Sequence, residues 1–102
     1  MKIIEEKDFK NEIEKGVVLV DFFATWCMPC RMMAQILEEV DEEVSSYAKI
    51  VKVDVDQSEN LAKTFGVMSI PTLILFKNGE MVEKNVGVMQ KNQCVELIKK
   101  YL

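Results

Sequence analysis

Cys27 and Cys30 stand two residues apart, with Met28 and Pro29 between them and Trp26 in front. Thiols at that spacing can close and reopen a disulfide. They follow a near-continuous apolar run, Val17 to Ala24, which sets them at a strand-to-helix junction. A helix that starts near Cys27 brings the two sulfurs close enough to bond. Its free N–H groups and the positive end of its dipole favour a thiolate over a thiol at Cys27. Pro29 suits the first helical turn, where its missing N–H is not needed and its fixed φ is already helical. It also limits how far the cysteines separate after reduction.

Three chemistries compete for this pair. Two small apolar core residues fit badly, because Cys-Met-Pro-Cys beside a Trp is not core patterning. Half a zinc site needs further ligands, since zinc usually takes four. The chain has no His, and its remaining cysteine, Cys94, lies on the apolar face of a helix. A metal would need carboxylates or a second subunit. A reversible redox disulfide needs nothing more than the two residues and a βαβ setting.

Asp21 is the next anomaly. It interrupts Val17–Ala24, whose residues are apolar on both alternating faces, the pattern of a central strand covered on both sides. A buried carboxylate is costly to ionise and its pKa should rise unless it is paired. Lying six residues before Cys27, it reads as a proton acceptor and donor beneath the dithiol, against an edge-strand Asp facing water. Lys52, in the apolar segment Ile50–Val55, either reaches Asp21 and modulates its charge or snorkels from a strand end. Pro71 opens a strand, as punctuation or as a cis peptide; on the residues alone the trans form is the default. Cys94 reads as core, and Met28 is the one methionine that the motif must expose.

The elements that position these residues alternate. A short strand is expected at Lys2–Ile4, a helix at Asp8–Lys15, a strand at Val17–Ala24 and a long helix from Met28 to Ser46. Met33, Leu37, Val40, Val44 and Tyr47 form the inner face of that helix. A strand over Ile50–Asp54, a helix over Asn60–Phe65 stopped by Gly66, and strands at Thr72–Lys77 and Met81–Val86 follow. Asn78-Gly79 is a hairpin signal. Lys91–Leu102 closes the chain as a helix with Cys94, Val95, Ile98 and Leu102 inward. The order predicts an α/β protein: a mixed central sheet flanked by helices on both faces.

With 102 residues, one domain over 1–102 is expected. The net charge of −4 comes with no basic run, which argues against nucleic acid and anionic membranes. The charged start of the chain is no secretory signal, and no apolar stretch approaches a membrane span. A cytoplasmic location is the expectation, and there three cysteines point to redox or metal chemistry rather than structural bridges.

Across essentially its whole length the chain resembles the thioredoxin family. The resemblance is carried by Val20-Asp21-Phe22-Phe23-Ala24-Thr25-Trp26-Cys27, Lys52-Val53-Asp54-Val55-Asp56, Phe65-Gly66-Val67, Ile70-Pro71-Thr72-Leu73, Phe76-Lys77-Asn78-Gly79-Glu80 and Val86-Gly87, in the family's order. It implies the thioredoxin fold, with Cys27 the exposed nucleophile, Cys30 the buried resolving thiol, Asp21 the buried carboxylate and Lys52 its companion. It implies a cis bond at Pro71 and a docking surface of Trp26, Met28, Ile70, Pro71, Gly87 and Val88. The implied activity is protein-disulfide reduction and electron transport in cell redox homeostasis. No bound cofactor is required. The implied partners are disulfide-containing proteins and a thioredoxin reductase, flavin- or ferredoxin-linked, with the chain itself a monomer.

Three departures mark this sequence. Met28 replaces the usual Gly, Phe23 replaces a common Trp, and Gln35 sits near the place of a helix-kinking Pro. Met28 bears on the redox potential, so a thiol oxidase or isomerase is the rival reading. A non-catalytic binding module is the more distant one.

Overall fold

A computed structural model describes Met1–Leu102. β2, Val17–Phe23, is buried at all seven positions. It lies at the centre of a five-stranded sheet ordered β1-β3-β2-β4-β5. β1 (Lys2–Ile3) and β3 (Ala48–Asp54) run parallel to β2, while β4 (Thr72–Lys77) and β5 (Glu80–Val86) form an antiparallel hairpin, β4 lying antiparallel to β2. The mixed sheet is the expected one. Parallel pairing of β2 and β3 requires a crossover, and α2 (Met28–Val44) supplies it.

The two faces of β2 bury different cores. Val17 and Leu19, with Leu73 and Leu75 of β4, pack under Met33, Leu37, Val40 and Val44 of α2 and under Cys94, Val95 and Ile98 of α4 (Lys91–Lys100). Val18, Val20 and Phe22 face the other side, against Phe9 and Ile13 of α1 (Phe9–Ile13). There Phe9, Phe65 and Phe76 stack at ring-centroid separations of 5.3 to 5.6 Å, Phe65 following α3 (Glu59–Thr64). Burial of such side chains contributes roughly 1.5–3 kcal/mol each, so apolarity on both faces of β2 is what fixes it as the central strand.

The hairpin between β4 and β5 turns at Asn78 and Gly79, both with positive φ, 50° and 88°. That is the two-residue turn whose twist matches the strands.

Several boundaries differ from expectation. The first helix is a 3₁₀ turn at Glu6–Asp8 followed by five α-helical residues. α2 stops at Val44, because the next residues are weak helix formers and β3 already begins at Ala48 to pair with Val17. Tyr47 therefore leaves the inner face and is exposed. α4 ends at Lys100, and Leu102, beyond its last turn, is exposed rather than inward. α2 runs unbroken through Gln35.

Candidate active site

β2 delivers the chain to the carboxyl end of the sheet, and α2 starts there. Cys27 is the residue that caps α2, with extended backbone, and its Sγ accepts the Cys30 amide hydrogen bond at 3.2 Å. Pro29 occupies the first turn. Cys27 and Cys30 form a disulfide, their Cα atoms 5.2 Å apart. That amide and the positive end of the helix dipole favour negative charge on a sulfur held there.

The second wall is the Ile70–Pro71 peptide, which is cis. The Ile70 carbonyl oxygen lies 3.9 Å from Cys27 Sγ. The Pro71 carbonyl accepts the Gly87 N–H at 2.8 Å, joining the segment before β4 to the one after β5. The fold thus brings Ile70 against the dithiol and ties Gly87 to Pro71 beside it. Cys27, however, is only 5 % exposed, against 3 % for Cys30. The expectation of an open nucleophile is corrected: in the disulfide form Cys27 packs with Phe23, Ala24 and Ile70 in a small apolar cluster. The exposed groups are its neighbours Trp26 (66 %) and Met28 (68 %).

Asp21 is fully buried, and neither of its carboxylate oxygens has a hydrogen-bond partner. Burial pushes its pKa up to about 6 from 3.8, opposed by the charge of Lys52. Lys52 is its register partner on β3. Its ammonium makes no bond to Asp21 and lies over the Phe23 ring, 4.4 Å from the centroid. Phe23 thereby presents the π face on which the ammonium rests. A cavity of about 210 Å³ opens beside these groups, lined by Cys30, Lys52, Phe23 and Ala34 among others. Cys94 is buried on the same side of the sheet, its thiol pushed up to about 11 by burial and by the Asp21 charge. No three His, Cys, Asp or Glu side chains gather as metal ligands would.

Two residues escaped the sequence reading. Asp56 accepts the Trp26 Nε1–H at 2.8 Å and so orients the indole. The signal was available: β3 runs parallel to β2, so its exit at Asp54–Asp56 must emerge beside the loop that carries Trp26, and an indole N–H seeks an acceptor. Arg31 donates to the Thr25 carbonyl at 3.3 Å and touches Met28 Sδ at 3.7 Å. Its signal was only its place one turn beyond Cys27.

Chains that seat an internal Cys-x-x-Cys disulfide on the first turn of a helix, against a cis-proline, are thiol–disulfide oxidoreductases. The family model described as Thioredoxin matches residues 1–100. The chain is 49 % identical over 104 residues to the thioredoxin of Bacillus subtilis, covering all of both chains. It is 49 % identical over 102 residues to that of Listeria monocytogenes, covering all of this chain and 99 % of the other. A solved mutant thioredoxin from Halobacterium salinarum superposes with a TM-score of 0.89 at 35 % identity, over 99 % of this chain and 88 % of that one. The chain belongs to the thioredoxin family. It is a protein-disulfide reductase that works by dithiol–disulfide exchange at Cys27 and Cys30. Neither the family match nor the geometry favours the oxidase, isomerase or binding-module readings.

Proposed function

We propose that Cys27 is the attacking thiolate and Cys30 the resolving thiol. Cys27 Sγ attacks a sulfur of the target disulfide, forming a mixed disulfide and releasing one target thiolate. Cys30 then loses its proton to Asp21 and attacks Cys27 Sγ. The internal disulfide forms, and the second target thiol leaves. The target gains two electrons and the chain loses two, which a thioredoxin reductase, flavin- or ferredoxin-linked, must return.

The observation that carries this assignment is the seat of Cys27 Sγ, between the Cys30 amide at 3.2 Å and the Ile70 carbonyl at 3.9 Å. One group stabilises the leaving or attacking sulfur, and the other marks where an extended peptide lies alongside it. Trp26, Met28, Ile70, Pro71, Gly87 and Val88 form the docking surface for disulfide-containing proteins. Lys52 tempers the charge of Asp21. No helix is long and apolar enough to cross a membrane. We place the chain in the cytoplasm as a monomeric single domain, 1–102.

Replacement of Cys30 tests the order of attack. Cys30→Ser should accumulate a target-linked mixed disulfide through Cys27, and Cys27→Ser should neither form one nor reduce the target. Adducts at Cys30, or turnover by Cys27→Ser, would reverse the assignment.

A further inference from the structure

The segment after β5 carries Gly87 and Val88 into the docking surface, and one residue of it is held by sulfur at both its backbone N–H and its carbonyl. The N–H of Met89 donates to Sδ of Met33 at 3.3 Å. The carbonyl of Met89 accepts from the Cys94 thiol at 3.9 Å. Met33 is fully buried on α2, three residues after Cys30, and Cys94 is buried on α4. Thioether and thiol are weak hydrogen-bonding groups. Yet the alternative for a partly buried residue is an unpaired N–H and an under-satisfied C=O, which cost more than the weak bonds return. At the other end, the Pro71 carbonyl holds the Gly87 N–H, and the Asn85 side chain donates to the Gly87 carbonyl at 3.2 Å.

We infer that Met33 and Cys94 are positioning residues that fix the Gly87–Met89 segment against the catalytic helix, and so set how tightly the docking surface accepts a protein disulfide. A leucine at 33 would fill the same space, and an alanine or valine at 94 would suit an apolar helix face. What those residues lack is an acceptor for the Met89 N–H and a donor for its carbonyl. The chain places both within reach of a single residue, on two different helices. The inference rests on Gly87 and Val88 touching the target, as proposed above.

The test compares Met33→Leu, Cys94→Ala and Cys94→Ser with Val44→Ala and Val88→Asp. Val44→Ala loosens the buried end of α2 far from the segment. Each variant reduces insulin, as a protein disulfide, and bis(2-hydroxyethyl) disulfide, as a small one, with dithiothreitol as electron source. Hydrogen exchange reads the Met89 amide. We expect Met33→Leu and Cys94→Ala to raise KM for insulin several-fold at a kcat within two-fold, with the small disulfide little affected. In Met33→Leu the Met89 amide should exchange at least about five-fold faster. Cys94→Ser, which keeps a donor, should restore the KM that Cys94→Ala loses, and Val44→Ala should leave KM unchanged. If Met33→Leu raises KM no more than Val44→Ala, or leaves the Met89 amide protected, the inference is overturned while the docking surface stands. If Val88→Asp leaves the insulin KM unchanged, the docking surface is withdrawn and the inference with it.

Discussion

Asp21, the proton acceptor proposed for the dithiol, costs stability where it stands. The unfolded chain holds a proton at this carboxyl only below about 3.8, and the native chain holds it up to about 6. Its contribution to stability is therefore complete below pH 4 and declines as the pH rises to about 6. The loss levels off above that, at a total of roughly 3 kcal/mol. Asp21→Asn should stabilise the protein at pH 7 by about 1–3 kcal/mol, because its amide also lacks buried partners and gives part of the gain back. Denaturant titrations at pH 4 and pH 7 check this: the gain should appear at pH 7 and vanish at pH 4. The same variant should slow release of the target from the mixed disulfide and flatten the pH dependence of that step near 6. Most of this site was legible. A carboxylate inside a doubly apolar strand is anomalous from the order of residues alone. Its lack of any bonding partner was not legible, because the resting place of Lys52 over Phe23 depends on side-chain geometry that strand register does not settle.

The sequence specifies its elements more sharply than their ends. The β4–β5 hairpin was legible from Asn78-Gly79, since two successive positive φ angles call for those residues. What the dipeptide did not reveal is its partner. The Asn78 amide donates to the Gly16 carbonyl at 2.9 Å, and its side-chain oxygen accepts the Gly16 N–H at 2.8 Å, tying the hairpin to the turn before β2. Asn78→Ala loses the side-chain bond and puts a Cβ without a local acceptor at positive φ. It should destabilise by about 1–2 kcal/mol, and Asn78→Gly by less. Urea midpoints rank the two, and disulfide reduction should be unchanged in both, since the turn lies at the opposite end of β4 from Pro71. Apolar spacing runs past the ends of α2 and α4 for one reason. It continues to Tyr47 and Leu102, but the chain stops winding where a strand or the terminus takes over, and periodicity carries no signal of that competition.

At the scale of the molecule, the order of elements dictated the mixed sheet, because two-face apolarity put β2 at its centre and the hairpin forced the antiparallel edge. Leu37 sits on the inner face of α2 at the middle of one core, fully buried. Leu37→Ala should lower stability by about 2–5 kcal/mol, seen as a large fall in melting temperature with the dithiol chemistry intact at low temperature. The sheet, its two cores and the helix N-terminus together present one redox couple, and the direction of electron flow is the central claim. Met28 is the residue that puts this to the test, since it stands inside the motif where the family usually has Gly. Equilibration of the Cys27–Cys30 couple against a redox buffer gives its midpoint potential directly. A reductase should sit near the established thioredoxin value of roughly −270 mV. A midpoint near −180 or −120 mV, roughly the range of an isomerase or a strong oxidant, would contradict the account, because the couple would then take electrons from protein thiols instead of delivering them to disulfides.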